Sequence, residues 1–261
     1  MKKEESRTGE STVFEGMTSI SAVIGGTADG VNDRRVLRVL VDRDRLDARR
    51  KELGWLRHRA DEMGFAIETV SAEEIEAMTT GNTHGGIIAE CTSRTVVPLT
   101  ADAIKPNGFY VMLEGIEDPY NFGYAIRSLY VCGVDGIVLS PRNWMSAGGV
   151  VCRSSAGCSE RLPVFECDPA ESARIFRGAG YKIVCAGIRD SVSSFDAELA
   201  NPIFLIVGGE KRGISGALLD EADAVVRIDY GREFAGSLSA ASAATVLGYE
   251  VMRSNMTKTG K

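Results

Sequence analysis

Three short clusters hold residue types that could do chemistry: Asn121-Phe122-Gly123-Tyr124-Ala125-Ile126-Arg127, Gly208-Gly209-Glu210-Lys211-Arg212-Gly213-Ile214 and Ser237-Leu238-Ser239-Ala240-Ala241-Ser242-Ala243. In the first, Asp118-Pro119-Tyr120-Asn121 makes a turn into a helix, where an asparagine suits the cap. Gly123 and Arg127 are four residues apart and share a helical face. A glycine one turn before an arginine leaves space into which the guanidinium, or a substrate, can lie. In the second, Ile203-Phe204-Leu205-Ile206-Val207 has the composition of a fully buried strand and runs into Gly208-Gly209-Glu210. The carboxyl end of such a strand forms the floor of a ligand crevice. Glycines there let the backbone approach a ligand closely, and Glu210 also suits a first helical turn, where the dipole favours an acid. The third cluster follows a strand-like run at 224–228. Ligand binding in a crevice walled by strand-to-helix turns is the chemistry this pattern offers.

Such a crevice needs a sheet to carry it. Strand-like runs recur at 108–113, 136–140, 181–186, 203–207 and 224–228, with helical runs at 121–132, 148–159, 169–179, 215–221 and 239–253. Strands alternating with helices predict an α/β domain whose parallel sheet is covered on both faces. The last helix carries Ala240, Ala241, Ala243, Ala244 and Gly248, small residues that permit close approach to a partner element. Upstream, Val36–Val41 reads as a buried strand, and Leu46, Leu53, Leu56, Ala60 and Met63 form one apolar helical stripe. Phe65–Val70 reads as a strand, Ser71 caps a short helix, and Gly85–Glu90 leads into another strand. The expected organisation is a tail at 1–15, a small α+β domain at 16–92, a linker at 93–106 containing Pro98 and Pro106, and the α/β domain at 107–261.

Bulk properties are consistent with this division. A chain of 261 residues suits one domain of ~100 residues and one of ~150. Apolar content of 44% and charged content of 25% are those of an ordinary globular protein. No run approaches the ~18 apolar residues of a membrane span, and Met1-Lys2-Lys3-Glu4-Glu5 leads into no apolar signal-peptide core, so a cytoplasmic protein without a membrane association is expected. The six cysteines include no Cys-x-x-Cys pair and mostly sit in apolar segments, and there are only two histidines. Buried thiols in a reducing compartment, with no metal site, are therefore expected. The net charge of −6 does not exclude a nucleic-acid partner, which needs only a local basic face. Between Arg34 and Arg59 lie ten arginines and lysines, Arg45, Arg49 and Arg50 among them, with four acidic residues interspersed and Asp33 just before.

From about Gly108 to Arg253 the three clusters resemble the motifs of the SpoU/TrmH family of the SPOUT superfamily, RNA ribose methyltransferases dependent on S-adenosylmethionine. Val150–Gly157 with Leu162-Pro163-Val164 is similar to the family's serine-alanine-glycine helix and following strand. His84-Gly85-Gly86-Ile87 resembles the end of the ribosomal-protein-like substrate-binding domain carried by many members. The resemblance implies a C-terminal knotted SPOUT sheet (a trefoil knot) with helices on both faces, preceded by a small α+β domain that binds RNA through residues such as Arg45, Arg49, Arg50 and His84. It implies a homodimer and an RNA substrate, ribosomal rather than transfer RNA. Asn121, Arg127, Glu210, Ser237 and Ser239 would form the catalytic site, with Arg127 on the acceptor phosphate. Ala186, Gly187, Gly208, Gly209, Glu210, Gly213, Ile228 and Leu238 would hold S-adenosylmethionine. Two positions depart from the family pattern: Ile228-Asp229-Tyr230 stands for isoleucine-proline-methionine, and Ser239 for the asparagine of serine-leucine-asparagine. These departures keep open a non-catalytic RNA-binding paralogue, beside a tRNA-directed enzyme of the same family. A nicotinamide-dependent dehydrogenase would need Gly-x-Gly-x-x-Gly after a first strand, and neither domain has it.

Overall fold

The structure, a computed structural model, describes residues 13–258 apart from 82, 117, 142–146 and 210–212. The described chain forms two compact units. One comprises the residues up to Thr95 together with the segment ending at Arg161; the other comprises Val96 to Pro141 and the chain from Leu162 on.

The first unit opens with β1 (Val13–Glu15) and α1 (Gly16–Ala28), followed by β2 (Val36–Asp42), α2 (Arg50–Met63), β3 (Ala66–Val70), α3 (Ala72–Met78) and β4 (Ile87–Cys91). Its sheet runs β1-β4-β2-β3, with β4 antiparallel to both neighbours and β2 parallel to β3. Phe14, Ile20, Val23, Val39, Leu56, Ile87 and Ala89 make the core. The apolar stripe expected from Leu46 to Met63 does pack there, but its helix starts only at Arg50; Asp42 caps a separate 3-10 turn at Arg43–Arg45 by accepting from the Asp44 amide at 3.0 Å. Ser71 caps α3 as expected, in a reciprocal pairing with Glu74. β1 begins inside the stretch read as a tail, because Phe14 is an anchor of the core. No element was assigned at 16–28, where three glycines and four serines or threonines dilute the helical pattern; burial of Ile20, Val23 and Ile24 overrides that weak propensity.

The chain next builds β5 (Val97–Pro98), β6 (Phe109–Glu114), α4 (Pro119–Val131) and β7 (Gly136–Leu139) of the second unit, before α5 (Gly148–Ser154) returns to the first. The single helix expected at 148–159 is broken. Ala156 and Gly157 adopt left-handed φ of 52° and 85°, and a 3-10 turn follows at Cys158–Arg161. A Cβ at Gly157 would stand 2.5 Å from that of Ala22, so close approach of α1 dictates the glycine. A buried polar network fastens this segment within its unit. Arg34 Nε donates to Glu160 Oε2 at 2.9 Å with both side chains almost fully buried, and Arg34 Nη1 donates to the Thr92 carbonyl at 3.0 Å. Asn32 donates to the Glu160 carbonyl at 2.9 Å and Arg94 to that of Ser159 at 2.8 Å.

The second unit continues with β8 (Val164–Glu166), α6 (Pro169–Gly178), β9 (Lys182–Ala186), β10 (Val192–Ser193), β11 (Ile203–Gly208), α7 (Gly216–Asp220), β12 (Ala224–Arg227) and α8 (Ala240–Lys258). Its eight strands are ordered β10-β12-β9-β11-β6-β7-β8-β5, and every neighbouring pair is parallel. One face buries Tyr110, Met112, Ile183, Cys185, Phe204 and Ile206 against Ala173 and Phe176 of α6 and Leu218 of α7. The alternate residues of β6 and β11 point the other way, towards α8, which packs on β11 and on α4. Gly248 serves that packing: a Cβ there would lie 2.9 Å from Leu129 Cδ2. The expected linker at 93–106 contains β5, whose Pro98 is tolerated because the strand lies at the sheet edge.

Candidate active site

From β6 the chain moves through β7 and β8 to one side of the sheet, then returns to place β9, β11 and β12 on the other. The order therefore reverses beside β6, and a crevice forms outside the carboxyl ends of strands at such a switch point. The first cluster lies on the helix after β6 and Gly208-Gly209 end the neighbouring β11, so these two flank the switch point, while the third cluster opens α8 after β12.

β6 ends at Glu114, and Asp118 caps α4 by accepting from the amides of Tyr120 at 2.7 Å and Asn121 at 2.9 Å. The cap is thus Asp118, and the half-buried Asn121 carboxamide is left for another use. Two turns on, Arg127 is exposed, and no carboxylate among the described residues pairs with it. In the same unit Arg174, Arg177, Arg227 and Arg253 hold acidic partners, whereas Arg127, like Arg189 and Arg232, has none among the described residues.

After β11, the Gly213 amide donates to the Gly209 carbonyl at 2.9 Å, folding the loop on itself. A Cβ on Gly208 would come within 2.5 Å of the Gly213 carbonyl carbon, and one on Gly209 would overlap the carbonyl of Gly115. Gly208 thus lets the loop after β11 fold on itself, and Gly209 lets the loops after β6 and β11 touch, packing demands that stand beside the clearance for a ligand expected from sequence. Gly213 has a left-handed φ of 59° with open space around it. Glu210 lies outside the described residues. Beside this loop, Glu114 pairs with Gly208 across the sheet and has a buried Oε2 without a hydrogen-bond partner. Burial, and then the negative charge of Asp168, push its carboxyl above the usual range. The sequence reading did not single out this residue.

At the end of β9, the Gly187 amide donates to the Val226 carbonyl at 3.0 Å, joining Ala186-Gly187 to β12. The loop after β12 encloses a cleft of about 480 Å³ lined by Ile228, Asp229, Tyr230, Arg232, Phe234 and Leu238. Ile228 and Leu238, both expected cofactor contacts, thus meet in one cavity. The Leu238 amide donates to the Tyr230 hydroxyl at 3.1 Å and closes the loop. Asp229 stands where the family pattern has proline. It accepts from Ser193 Oγ and, at 2.8 Å, from Arg227 Nε, and these bonds hold its carboxyl below the usual range. Ser237 is exposed. Ser239 caps α8: its Oγ accepts from the Ser242 amide at 3.2 Å, and its carbonyl accepts from the Ala243 amide at 2.9 Å. Serine and asparagine are near-equal helix caps, so this departure keeps the local backbone role. No hydrogen bond among the described residues joins Asn121, Arg127 and Ser237 to one another. The aromatic Tyr230 and Phe234 were missed as site residues; their signal was two large rings in an otherwise polar loop.

In the first unit, Arg45 and His84 line a cavity of about 220 Å³ with Asp42, Glu76, Gly85 and Gly86. Arg49 donates to the Gly85 carbonyl at 2.8 Å and pairs with Glu52, which brings it to the same loop. Arg50 stands apart in an exposed pair with Asp47. Half of the ten basic residues between Arg34 and Arg59 hold acidic partners (Arg34, Arg38, Arg49, Arg50 and Arg59), which reduces the basic face the run suggested.

Residues 108–249 match the SpoU rRNA Methylase family, more than half of the chain. The chain belongs to the SpoU rRNA methylase family. Residues 30–96 of this SpoU-family chain match a second family, RNA 2'-O ribose methyltransferase substrate binding. It is 26% identical over 202 residues to YacO of Bacillus subtilis (strain 168), named for the TrmH family of tRNA/rRNA methyltransferases; the match covers 74% of this chain and 80% of YacO. It is 28% identical over 200 residues to an uncharacterized tRNA/rRNA methyltransferase of Mycobacterium avium (strain 104), covering 75% of this chain and 64% of that one. Among solved structures, an AdoMet-bound rRNA methyltransferase from Sinorhizobium meliloti superposes with a TM-score of 0.76 at 22% identity, over 94% of this chain and 87% of that one. AviRb of Streptomyces viridochromogenes in complex with AdoMet superposes with a TM-score of 0.74 at 22% identity, covering 95% and 91%. The SpoU-family chain is accordingly an RNA methyltransferase by family, and the solved structures share its fold. Among the described residues, no helix is long and apolar enough to cross a membrane.

Proposed function

We propose that this SpoU-family chain transfers a methyl group from S-adenosylmethionine to the 2'-hydroxyl of a ribose in RNA, and that its substrate is ribosomal RNA. The observation that carries the reading is an exposed Arg127, without a carboxylate partner among the described residues, on the helix that follows β6 at the switch point of the parallel sheet. The cofactor fits the residues present. The cleft of about 480 Å³ beside Ile228 and Leu238 has room for a nucleoside, and the loops at 186–187 and 208–213 are assigned to the same cofactor. When bound, S-adenosylmethionine supplies an electrophilic methyl group on a sulfonium that is already a good leaving group.

The chain must then align the acceptor and help its hydroxyl lose a proton. Arg127 remains charged at any physiological pH and cannot serve as a base. It binds the phosphate next to the target ribose and stabilises the developing alkoxide. Asn121, freed from capping, orients the hydroxyl, and Ser237 supports it; Glu210 is assigned to the same centre. In the first unit, Arg45, Arg49 and His84 about the loop at 84–86 are assigned to RNA. Unpaired RNA is the fitting substrate, because a 2'-hydroxyl is most accessible where bases are splayed.

The same reading assigns the chain to a homodimer. Tyr120, Tyr124 and Val131 recur along one exposed face of α4, and Val246, Tyr249 and Met256 along α8. Exposed apolar stripes on two packed helices are the usual mark of a protein interface. The tRNA-directed enzyme and the non-catalytic paralogue are the competing readings; the retained helix cap at Ser239 favours an active enzyme over the latter. Calorimetric titration with S-adenosylmethionine tests the reading, together with transfer of labelled methyl to unmodified RNA by wild type and Arg127→Ala. Arg127→Ala should abolish transfer and leave cofactor affinity within a few-fold. Loss of cofactor binding in that variant would refute the role given to Arg127.

A further inference from the structure

We propose that, given the RNA substrate assigned above, the cavity beside the loop at 84–86 in the first unit receives one extruded guanine of that RNA. The cavity, of about 220 Å³, is lined by Asp42, Arg45, Ile75, Glu76, His84 and Gly86 among others. Several elements build it. Asp42 ends β2, and its amide donates to the Gly86 carbonyl at 2.9 Å, which ties the strand to the loop before β4. Asp42 Oδ1 accepts from the Asp44 amide at 3.0 Å and so holds the 3-10 turn that presents Arg45. Gly86 has a left-handed φ of 75° and lets both side chains pass close: a Cβ there would lie 2.9 Å from Arg45 Cγ and 3.0 Å from Asp42 Cβ. Its amide donates to His84 Nδ1 at 3.1 Å and orients that ring. From α3 come the fully buried Ile75 and the exposed Glu76.

The chemistry of the lining selects the occupant. Asp42 is buried, yet its Oδ2 accepts no hydrogen bond from the described residues. The Glu76 carboxylate and the Arg45 guanidinium likewise have no ionic partner among them. Two carboxylates against one guanidinium make the lining negative, which turns a phosphate away and calls for N–H donors. Arg45 calls for acceptors on the same occupant. Guanine alone of the four RNA bases presents two adjacent donors, N1–H and the 2-amino group, beside two acceptors, O6 and N7. The carboxylates accept from the donors, Arg45 donates to O6 and N7, and Ile75 offers the ring an apolar surface. A base reaches such a cavity only where it is unpaired and splayed from its neighbours.

The test measures binding of the full chain to short single-stranded oligouridines carrying one central guanosine, inosine, adenosine or cytidine, by fluorescence anisotropy of an end label. Guanosine should bind roughly 5- to 100-fold more tightly than adenosine or cytidine, the discrimination expected of a well-formed bidentate pair. Inosine, which lacks only the 2-amino group, should fall in between. Asp42→Asn keeps an oxygen for the Asp44 amide but replaces the free acceptor by a donor, so the guanosine-to-adenosine ratio should drop to within about twofold of unity. Glu76→Gln removes an exposed carboxylate that holds no ion pair among the described residues, and it should lower the same ratio at an unchanged melting temperature. Equal binding of all the oligonucleotides by wild type, or a preference that survives both substitutions, would overturn the guanine pocket and leave the RNA reading standing. Failure to bind any of them would overturn both. Magnesium binding that is lost in Asp42→Asn, with no guanosine preference in wild type, would assign the cavity to a cation and overturn the proposal.

Discussion

Glu160→Ala probes the return of the 147–161 segment into the first unit. Glu160 and Arg34 are 1% and 2% exposed, and their ion pair at 2.9 Å is the principal compensation for two desolvated charges. The remaining contacts of the guanidinium are the Thr92 carbonyl at 3.0 Å and the ring of Phe14 at 4.9 Å from its centroid; Nη2 has no partner. Removing the carboxylate leaves a buried cation that those neutral groups cannot balance, and such a loss costs about 3–5 kcal/mol. The paired change Arg34→Met with Glu160→Leu removes both charges and retains volume, so it should cost clearly less than Glu160→Ala, the residual loss coming from buried Arg94, which also faces the Glu160 charge. Urea titration followed by Trp55, a residue packed against that core, measures both, with Trp144 replaced by phenylalanine so that one tryptophan reports. The singles Arg34→Met and Glu160→Leu close a double-mutant cycle with the paired change, which gives the coupling energy. A single-variant loss below about 1 kcal/mol, or a double variant as damaged as the single, would refute the argument that charge compensation holds the segment.

Three further outcomes follow from the second unit. Ser239→Ala should lose about 1 kcal/mol of stability through the α8 cap, whereas Ser239→Asn should stay within a few tenths and change the methylation rate less than about tenfold; a gain of several hundredfold from near-zero activity would support the non-catalytic paralogue. Gly209→Ala should lower the melting temperature and cofactor affinity together, since its Cβ meets the Gly115 carbonyl; lost binding at an unchanged melting temperature would mean that the glycine serves the ligand alone. The folded pKa of Glu114 is raised, so its ionisation costs stability at high pH and not at low pH. Glu114→Gln should therefore stabilise the protein at about pH 8 and give no gain below about pH 4, and an equal gain at both would count against burial as the cause.

The second unit was legible in the sequence because its strands are short apolar runs closed by glycine or by capping residues. Ile203–Val207 and Gly208 needed no context to be placed at a strand end, and the asparagine-to-arginine spacing put Asn121 and Arg127 on one helix. What escaped was decided by tertiary contact. β1 exists because Phe14 is buried, and α1 because its apolar face outweighs Gly25 and Gly26. Cap assignments illustrate the same limit: Asp118 and Asn121 both suit the start of α4, and only the hydrogen bonds at 2.7 and 2.9 Å choose Asp118. The packing demand on Gly209 was not legible for a related reason, since it comes from a loop far away in sequence, at Gly115.

Nucleoside mass spectrometry of ribosomal and transfer RNA from a strain lacking this protein tests the central claim most directly. One 2'-O-methylated nucleotide of ribosomal RNA should be missing, and it should return with the wild-type protein and not with Arg127→Ala. An unchanged ribose-methylation profile in both RNA classes, or a missing methyl on a base, would contradict the account.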